Sequence, residues 1–578
     1  MICAALRTLL LALASFGLQA AAEAGGADDA WRHPAVDRLV VFGDVHGDHD
    51  ALFSLLRAAA VIDADGAWVA GETHLVSLGD LLDRGPDSRR VMDLLMRLQQ
   101  EAAAAGGRVH VLVGNHELMN LAGDLRYVAP EEYAAFAGAE DDRLRAEALD
   151  QARRLGIDDA KVNTRPPGFF AHRAAFLPEG TYGAWLLAQR TLVVIGDMLF
   201  AHGGASPVLL EGPVETIEGR IRARLRELVA FRSDVRLARP DRLDVGLFAT
   251  STLGAADARL GEDLAPLADE PFFGPSGPFW YRGTASCHPL LEAPVLRRTL
   301  AGLDVEAVAV GHTPQRDGRI HSRLDGSVLL LDTGMLARYY GGRPRALVIE
   351  DGVRRVVSPD GDQQRPEPLY PAVDAGLDAA TLARVLERGG MTSLGDDRVR
   401  LELDGTAVEA RVLALRERAR SHARAARRLD EILGLGMVPA VVEREVEGEL
   451  RLLEVDAGRW LPEGERAGRG IVPPADCFRG HAFDLVRLFD ALLGKRRSPE
   501  ELSWSLPSLS IRLTGNDDAF PRARRVQGPE AAPPAVVELL RRVDEARLRE
   551  GLAGLLEPRR LDALVARRAA LLSELEES

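Results

Sequence analysis

The sequence predicts an α/β domain followed by a second, α+β domain. The chain of 578 residues is longer than the roughly 250–300 residues at which a single hydrophobic core stops growing. Short apolar runs of strand length recur from Leu39 to about Glu350, and helical patterns often follow them, as in α/β folds. A segment rich in Pro, Asp and Gln, Ser358 to Pro371, then separates this part from the remainder.

These patterns divide the chain into four segments: a leader at 1–22, a first domain at 37–355, a linker at 356–375 and a second domain at 376–578. The second domain contains a turn signal at Asp404-Gly405, which predicts a hairpin. Helical patterns lie near 421–433 and 482–493 and from about 535 onward, and a strand pair is expected around 446–453.

The first residues have the pattern of a secretory leader. Arg7 precedes the apolar run Leu9 to Leu18, and small residues at 20–22 and at Ala24 offer cleavage sites. The run is short for a membrane span, although an N-terminal anchor helix is the alternative. We therefore expect an exported protein, periplasmic or extracellular, without an integral membrane span after cleavage.

Removal of the leader would leave two cysteines, Cys287 and Cys477. Two cysteines do not make a disulfide framework. They could pair across the domains, but we expect them to be unpaired.

The charge balance argues against a nucleic-acid partner. Acidic residues number 87 and basic residues 72, which gives a formal net charge of −15. Such a chain has little general attraction for nucleic acids or anionic membranes. An anionic substrate would have to be bound through local positive charge, from metal ions or from a few arginines.

Residue types that bind metal ions follow the ends of five predicted strands. The carboxyl ends of strands in α/β sheets meet at one crevice, so residues distant in sequence can share a site there. The relevant segments are Gly43-Asp44-Val45-His46-Gly47, Gly79-Asp80, Gly114-Asn115-His116-Glu117, Ala201-His202-Gly203-Gly204 and Gly311-His312-Thr313.

These side chains suit a site for two divalent ions. Carboxylate, imidazole and amide groups are the ligands of hard or borderline cations. We expect Asp44 and His46 to bind one ion and Asp80 to bridge the two ions. Asn115, His202 and His312 would complete the coordination of the second ion. Two such ions can polarise a phosphoryl group and activate a water molecule, so the sequence predicts a phosphoesterase.

Three further residues are candidates for the remaining chemistry. His116, next to Asn115, can protonate the leaving group, and Asp83 can orient its ring. Arg84 offers a planar guanidinium suited to bidentate contact with a phosphate.

The motifs resemble those of the calcineurin-like metallophosphoesterases, and within them the phosphoprotein-phosphatase branch. The resemblance rests on the five segments above, with the second extended to Gly79-Asp80-Leu81-Leu82-Asp83-Arg84-Gly85. It implies a four-layer α/β/β/α sandwich with Mn, Fe or Zn as the metals. It also implies the same six ligands and the same roles for His116, Asp83 and Arg84.

Other motifs resemble the Shewanella-like protein phosphatases. They are Leu118-Met119-Asn120, Gly123-Asp124-Leu125-Arg126-Tyr127, Phe279-Trp280-Tyr281-Arg282-Gly283 and Asp332-Thr333-Gly334-Met335. This resemblance implies phosphoprotein substrates, often with a preference for phosphotyrosine. Arg126 and Arg282 are candidates for further phosphate contacts, or are simply exposed or paired with carboxylates.

The second domain weakly resembles atypical kinase-like domains, through 425–433, Met437-Val438-Pro439 and Val442-Glu443-Arg444. A kinase would carry Asp and Asn after the helix near 482–493, where this chain has Gly494-Lys495-Arg496-Arg497-Ser498-Pro499. A strand lysine is absent near 408–412, and a metal-binding Asp would have to come from 516–518. We expect an inactive domain whose partner the sequence does not identify.

Three functions remain in competition. The leading interpretation is an exported metal-dependent phosphomonoesterase acting on phosphoproteins or phosphopeptides. The first alternative is a nucleotidase, dinucleoside polyphosphate hydrolase or phosphodiesterase, for which Phe169, Phe170 and Tyr182 are possible base-recognition residues. The second is a non-catalytic binding protein, against which the complete ligand set argues.

Overall fold

A computed structural model describes most of the chain. The described residues are 30–154, 163–236, 271–361, 364–456, 458–471, 481–505, 510–523, 528–529 and 532–577. The expected leader, Cys3 and Cys477 lie outside them. Within these ranges, no helix has the length and apolar character needed to cross a bilayer.

The first domain contains twelve strands among the described residues, and all are short. In chain order they are β1 (Arg32–His33), β2 (Arg38–Phe42), β3 (His74–Ser77), β4 (Arg108–Val111), β5 (Leu192–Ile195), β6 (Met198–Ala201), β7 (Ala307–Val310), β8 (His321–Arg323), β9 (Val328–Leu330), β10 (Ala346–Glu350), β11 (Val353–Val357) and β12 (Glu367–Pro368).

These strands form two sheets. One has the order β1-β5-β6-β7-β9-β8-β12 and the other the order β11-β10-β2-β3-β4. Along β2, Leu39 and Val41 face a core shared by the two sheets, whereas Val40 and Phe42 face a second core that includes the helices. Both faces of each sheet are therefore covered, and the fold is the expected α/β/β/α sandwich.

Helices cover the outer faces of the two sheets. They span His49–Ala58, Ser88–Ala104, Asn115–Ala122, Pro130–Ala134, Asp142–Arg154, Phe169–Ala175, Thr181–Ala188, Val214–Arg236, Gly283–Ser286, Pro289–Gly302 and Ala337–Tyr340. Phe169, Phe170 and Tyr182, suggested above as base-recognition residues, are 2–4% exposed. They pack in the interior, so that suggestion was wrong for these three rings.

The parallel pairing of β2, β3 and β4 brings their carboxyl ends to one edge. Phe42 pairs with Ser77, and Ser77 pairs with Val111. The loops that follow these three strands therefore start side by side, which is the arrangement that the candidate ligands require.

The second domain has two sheets of its own. The strands are β13 (Gly390–Gly395), β14 (Arg398–Leu403), β15 (Thr406–Leu413), β16 (Val441–Val446), β17 (Glu449–Val455), β18 (Trp460–Pro462), β19 (Leu502–Ser505) and β20 (Ile511–Leu513). The first five form an antiparallel sheet of order β13-β14-β15-β17-β16, and the last three form another. The β14–β15 hairpin turns at Asp404-Gly405, the site of the turn signal.

Helices complete this α+β domain. They span Ala379–Arg388, Glu417–Leu433, Glu463–Gly468, His481–Leu493, Pro534–Arg542, Glu545–Gly551 and Pro558–Glu577. The long helices pack with β19 and β20 around Trp504 and Phe489, both fully buried.

The two domains pack directly against each other. Cys287 of the first domain belongs to the hydrophobic core of the second, with Leu290 and Leu291 beside it. The His288 ring donates through Nε2 to the Leu435 carbonyl at 2.7 Å. Cys287 is disulfide-bonded, so the expectation that it is unpaired was wrong; the sequence offers no nearby cysteine that would have revealed the bond.

Candidate metal centre and active site

The six candidate ligands meet at the carboxyl edge of the strands. Asp44, Asp80, His202 and His312 follow β2, β3, β6 and β7, and each of the six is 1–5% exposed. His46, Asp80 and His312 have φ values of 50°, 52° and 63°. Left-handed backbone is uncommon for residues other than glycine and concentrates at functional sites.

Glycines let the neighbouring loops approach these side chains. A Cβ at Gly114 would lie 2.4 Å from Asp80 Oδ1, and one at Gly311 would lie 2.5 Å from Asp44 Oδ1. The glycines before Asn115 and His312 are therefore required by packing.

One group of ligand atoms surrounds His46. Its Nε2 lies 3.8 Å from Asp44 Oδ2 and 3.9 Å from Asp80 Oδ2. Its Nδ1 lies 2.9 Å from the Leu82 carbonyl, to which it donates, so Nε2 presents its lone pair to the two carboxylates.

A second group surrounds His202. Its Nδ1 donates to the Leu78 carbonyl at 2.8 Å. Its Nε2 lies 3.0 Å from Asn115 Oδ1, 3.2 Å from His312 Nδ1 and 3.3 Å from Asp80 Oδ1. Four nitrogen and oxygen ligand atoms thus converge in the interior, and imidazole, carboxylate and amide groups are the ligands of divalent metal ions, so this set fits a metal ion.

Burial and neighbouring charges shift the pKa values of the two carboxylates, Asp44 and Asp80. Burial, and then Asp332, raise the pKa of Asp44. Burial alone would raise the pKa of Asp80, but His202 and His116 hold it well below its ordinary value.

The imidazoles differ from one another: burial alone would lower the pKa of His202, but Asp80 raises it above its usual value. Burial lowers the pKa of His46 and of His312 well below the usual value. Both rings are therefore neutral at pH 7, the form in which imidazole binds a metal.

The residues present therefore fit two ions. Ligand atoms of Asp80, His202 and His312 lie within 4.8 Å of one another, as do those of His46, Asp80 and His116. Asp44 and Asn115 would complete these groups at the distances given above. Asp80 belongs to both groups and is the residue placed to bridge.

His116 is held beside the centre by two polar residues. Its Nδ1 donates to Asp83 Oδ2 at 2.6 Å, and Asn120 donates to the other oxygen of Asp83 at 2.8 Å. The Nε2 atom lies 3.9 Å from Asp80 Oδ2. The ring is thus fixed with Nε2 directed into the centre, as proton donation to a leaving group requires.

Arg84 lies at the mouth of the centre among three tyrosines. Its guanidinium lies 5.3–5.4 Å from the rings of Tyr127, Tyr339 and Tyr340. Its Nη1 lies 2.6 Å from His46 Nε2, and it also bonds the Tyr340 hydroxyl. Arg84 therefore reaches the position where a phosphate would meet the candidate metal ligands.

The two other candidate arginines have different surroundings. Arg126 forms a bidentate pair with Asp124, at 2.7 and 2.8 Å, and 45% of its side chain is exposed. Arg282 donates to the His312 carbonyl at 2.6 Å and to Thr313 Oγ1 at 3.1 Å. Arg282 is thus placed to hold the His312 loop, and phosphate contact by either arginine stays a prediction.

Two residues at the site, Glu117 and Tyr340, have no role predicted from the sequence. Glu117 accepts from the backbone N–H groups of Asp80, Leu81 and Gly114 at 2.7–2.8 Å, and so joins two ligand loops. Tyr340 stacks on His46 with ring centroids 5.6 Å apart. Position 117, three residues into a helix, is the signal that could have identified Glu117 as a cap.

Known proteins resemble this part of the chain. Residues 37–316 match the family model described as calcineurin-like phosphoesterase. Shewanella-like protein phosphatase 2 of Arabidopsis thaliana is 28% identical over 337 residues, which is 56% of this chain and 78% of that protein.

Two further similarities are more distant or structural. Shewanella-like protein phosphatase 1 of Plasmodium berghei is 24% identical over 316 residues, covering 54% of this chain and 72% of that protein. A solved cold-active protein-tyrosine phosphatase of a psychrophilic Shewanella species is 27% identical. That comparison covers 58% of this chain and 82% of the solved chain, with a TM-score of 0.40.

Proposed function

We propose that this protein is an exported metallophosphoesterase, a phosphomonoesterase of phosphoproteins or phosphopeptides with a preference for phosphotyrosine. The match of residues 37–316 to the calcineurin-like phosphoesterase model supports this proposal. The observation that carries the proposal is the buried centre, where ligand atoms of two groups share Asp80 beneath Arg84. When bound, two divalent ions, which we propose to be Mn, Fe or Zn, would polarise the phosphoryl group and activate a water molecule.

The side chains have separate tasks in this reaction. Arg84 binds and orients phosphate oxygens through its planar guanidinium. His116 delivers a proton from Nε2 to the leaving oxygen, and Asp83 keeps the ring in that orientation. Burial of the ligands to 5% exposure or less keeps bulk water from the reacting atoms.

Two aromatic rings support a preference for aryl phosphates. The Tyr127 ring packs against His116 with centroids 5.3 Å apart, so it borders the position of the leaving group. Tyr339 lies beside Arg84 on the short helix Ala337–Tyr340, and Tyr127 and Tyr339 are 39% and 58% exposed. A tyrosyl leaving group could stack on these rings, whereas a seryl group offers no aromatic face.

Two properties support export. The N-terminal sequence has the pattern of a leader, and Cys287 is disulfide-bonded. Disulfides persist mainly in oxidising compartments. Fractionation of producing cells tests this part: recovery of the protein only in the cytosol, with its leader intact, would refute export.

The reaction is tested by supplying phosphotyrosine and phosphoserine peptides, nucleotides and a phosphodiester to the protein without residues 1–22, with Mn, Fe or Zn. We expect metal-dependent phosphate release, fastest from phosphotyrosine, that is lost in Asp80→Asn. Faster turnover of nucleotides or of the diester would favour the alternative hydrolases. No turnover of any substrate would favour the binding-protein alternative.

A further inference from the structure

A cavity of about 790 Å³ lies between the two domains. Its wall from the first domain includes the start of the helix Pro289–Gly302 and the segment Thr313–Asp317. Its opposite wall includes Met437, Trp460 and Ile511 of the second domain. The volume is within the usual range for a site that binds a small organic ligand.

The cavity does not contain the catalytic centre. None of the six candidate metal ligands, His116 or Arg84 lines it. Its nearest link to the centre is Thr313, which follows His312 and bonds Arg282. The cavity therefore has no role in the proposed phosphate chemistry.

One part of the lining is apolar and aromatic. Trp460 and Tyr370 are partly exposed, and Leu369 is 43% exposed. Met437 and Ile511 are buried beside them. Such a surface suits the flat or hydrophobic body of an organic molecule.

The other part is positively charged. Three arginines and two carboxylates line the cavity, and the carboxylates already have partners: Glu367 pairs with Arg319, and Asp317 with His321. Arg316 is exposed and makes no salt bridge with any described residue. The helix Pro289–Gly302 also directs its positive N-terminal end to this cavity.

Arg323 is a partly buried cation in the wall of the cavity. It donates to the backbone carbonyls of Thr284, at 2.8 Å, and of Cys287, and no described carboxylate lies within salt-bridge distance. Burial lowers its pKa to about 10, although Glu292 favours the charged form from farther away. The guanidinium is still charged at neutral pH and forms no salt bridge with a described residue, so it can attract an anionic ligand.

We propose that this cavity is a binding site for a small organic anion, with an aromatic or aliphatic body against Trp460 and a carboxylate, sulfonate or phosphate toward Arg316 and Arg323. Its occupant would bridge the domains and contact the segment that follows His312.

Calorimetry with naphthalene-1-sulfonate and the uncharged naphthalene-1-methanol tests the proposal on the full mature chain. We expect the sulfonate to bind at least about tenfold more tightly, since hydrogen bonds to charged groups contribute more than neutral ones. Arg316→Ala should reduce this difference, and Ala372→Trp, which fills the cavity, should abolish binding. Ala380→Trp, on an exposed helix surface outside the lining, is the matched control.

Several results would overturn the proposal. They are absence of sulfonate binding, equal affinity for the two probes, and unchanged sulfonate binding in Ala372→Trp. Because Arg316 and Ala372 lie on different segments, a folding defect in one variant leaves the other as a test. Thermal unfolding of each variant identifies such a defect.

Discussion

Charged and polar groups are arranged in opposite ways in the two domains. In the first, the ligand atoms of Asp80, Asn115 and His202 converge on a common point. In the second, Lys495 lies 2.6 Å from Asp518, and Arg497 lies 2.7 Å from Asp490. A set of converging metal-ligand atoms indicates a binding site. Ion pairs with matched charges, by contrast, stabilise the fold.

This difference bears on the weak kinase-like resemblance of the second domain. Lys495 and Arg497 occupy the loop where a kinase would carry Asp and Asn, and both are committed to ion pairs. Arg411, on the strand where a lysine would be expected, lies 3.4 Å from Glu454. These pairs support the expectation of an inactive domain, which stays a prediction.

The largest expected effect of a single substitution is in the first domain. His116→Asn should lower the turnover of phosphoserine peptide, which has a poor leaving group, by about 10²–10⁴-fold, the usual contribution of general acid catalysis. 4-Nitrophenyl phosphate should lose much less, because its leaving group needs little protonation. Steady-state kinetics on both substrates tests this prediction, with His49→Asn as the control variant. Equal losses of turnover on the two substrates would contradict the role of His116 as proton donor.

The next effect is on stability, in the second domain. Arg497→Met should lower the free energy of unfolding by about 3–5 kcal/mol, because it leaves the carboxylate of Asp490 buried without its partner. The folded variant should keep full phosphatase turnover. Denaturant unfolding and activity of the same samples check both statements, and adding Asp490→Leu should restore part of the stability. Loss of turnover in the folded Arg497→Met variant would show that this domain takes part in catalysis.

The stability of the second domain should also depend on pH, through Asp430. Burial raises the pKa of Asp430 to about 7, above its ordinary value. The folded state therefore holds this proton where the unfolded state has lost it, and stability falls as pH rises from about 4 to about 7. Asp430→Asn should remove this loss, so its melting temperature should exceed that of the wild type at pH 8 and not at pH 4. Parallel pH profiles for the two proteins would contradict this.

The smallest expected effect concerns the substrate. Tyr339→Ala should lower kcat/KM for a phosphotyrosine peptide by about fivefold, equivalent to one aromatic contact of roughly 1 kcal/mol. The phosphoserine peptide should change less. Tyr370→Ala, another exposed tyrosine outside the centre, is the control. Equal losses on both peptides would show that Tyr339 does not contribute to a preference for phosphotyrosine.

Sequence patterns located the candidate ligands because each follows a strand. Buried parallel strands appear as short apolar runs, and the residue after each run must lie at the carboxyl edge of the sheet. Asp44, Asp80 and His312 were predictable in this way. The α/β/β/α layers followed from the family resemblance, since apolar runs alone do not tell how many sheets they form.

Other residues could not be predicted because their partners depend on folding. Tyr340 reaches His46 from a short helix almost 300 positions away, and no pattern near it indicates a role. The pair of Arg126 with Asp124 depends on the conformation of one turn. The cavity between the domains depends on how two separate cores pack.

The most direct test of the account is to measure bound metal and phosphotyrosine hydrolysis in the same preparations of wild type, Asp80→Asn and the surface control Asp317→Asn. We expect about two ions per wild-type chain, as in two-metal hydrolases, and the same metal content and activity in the control. Asp80→Asn should lose bound metal and turnover together. Full hydrolysis by a metal-free wild type, or by Asp80→Asn with its ions retained, would contradict a shared metal centre as the source of activity.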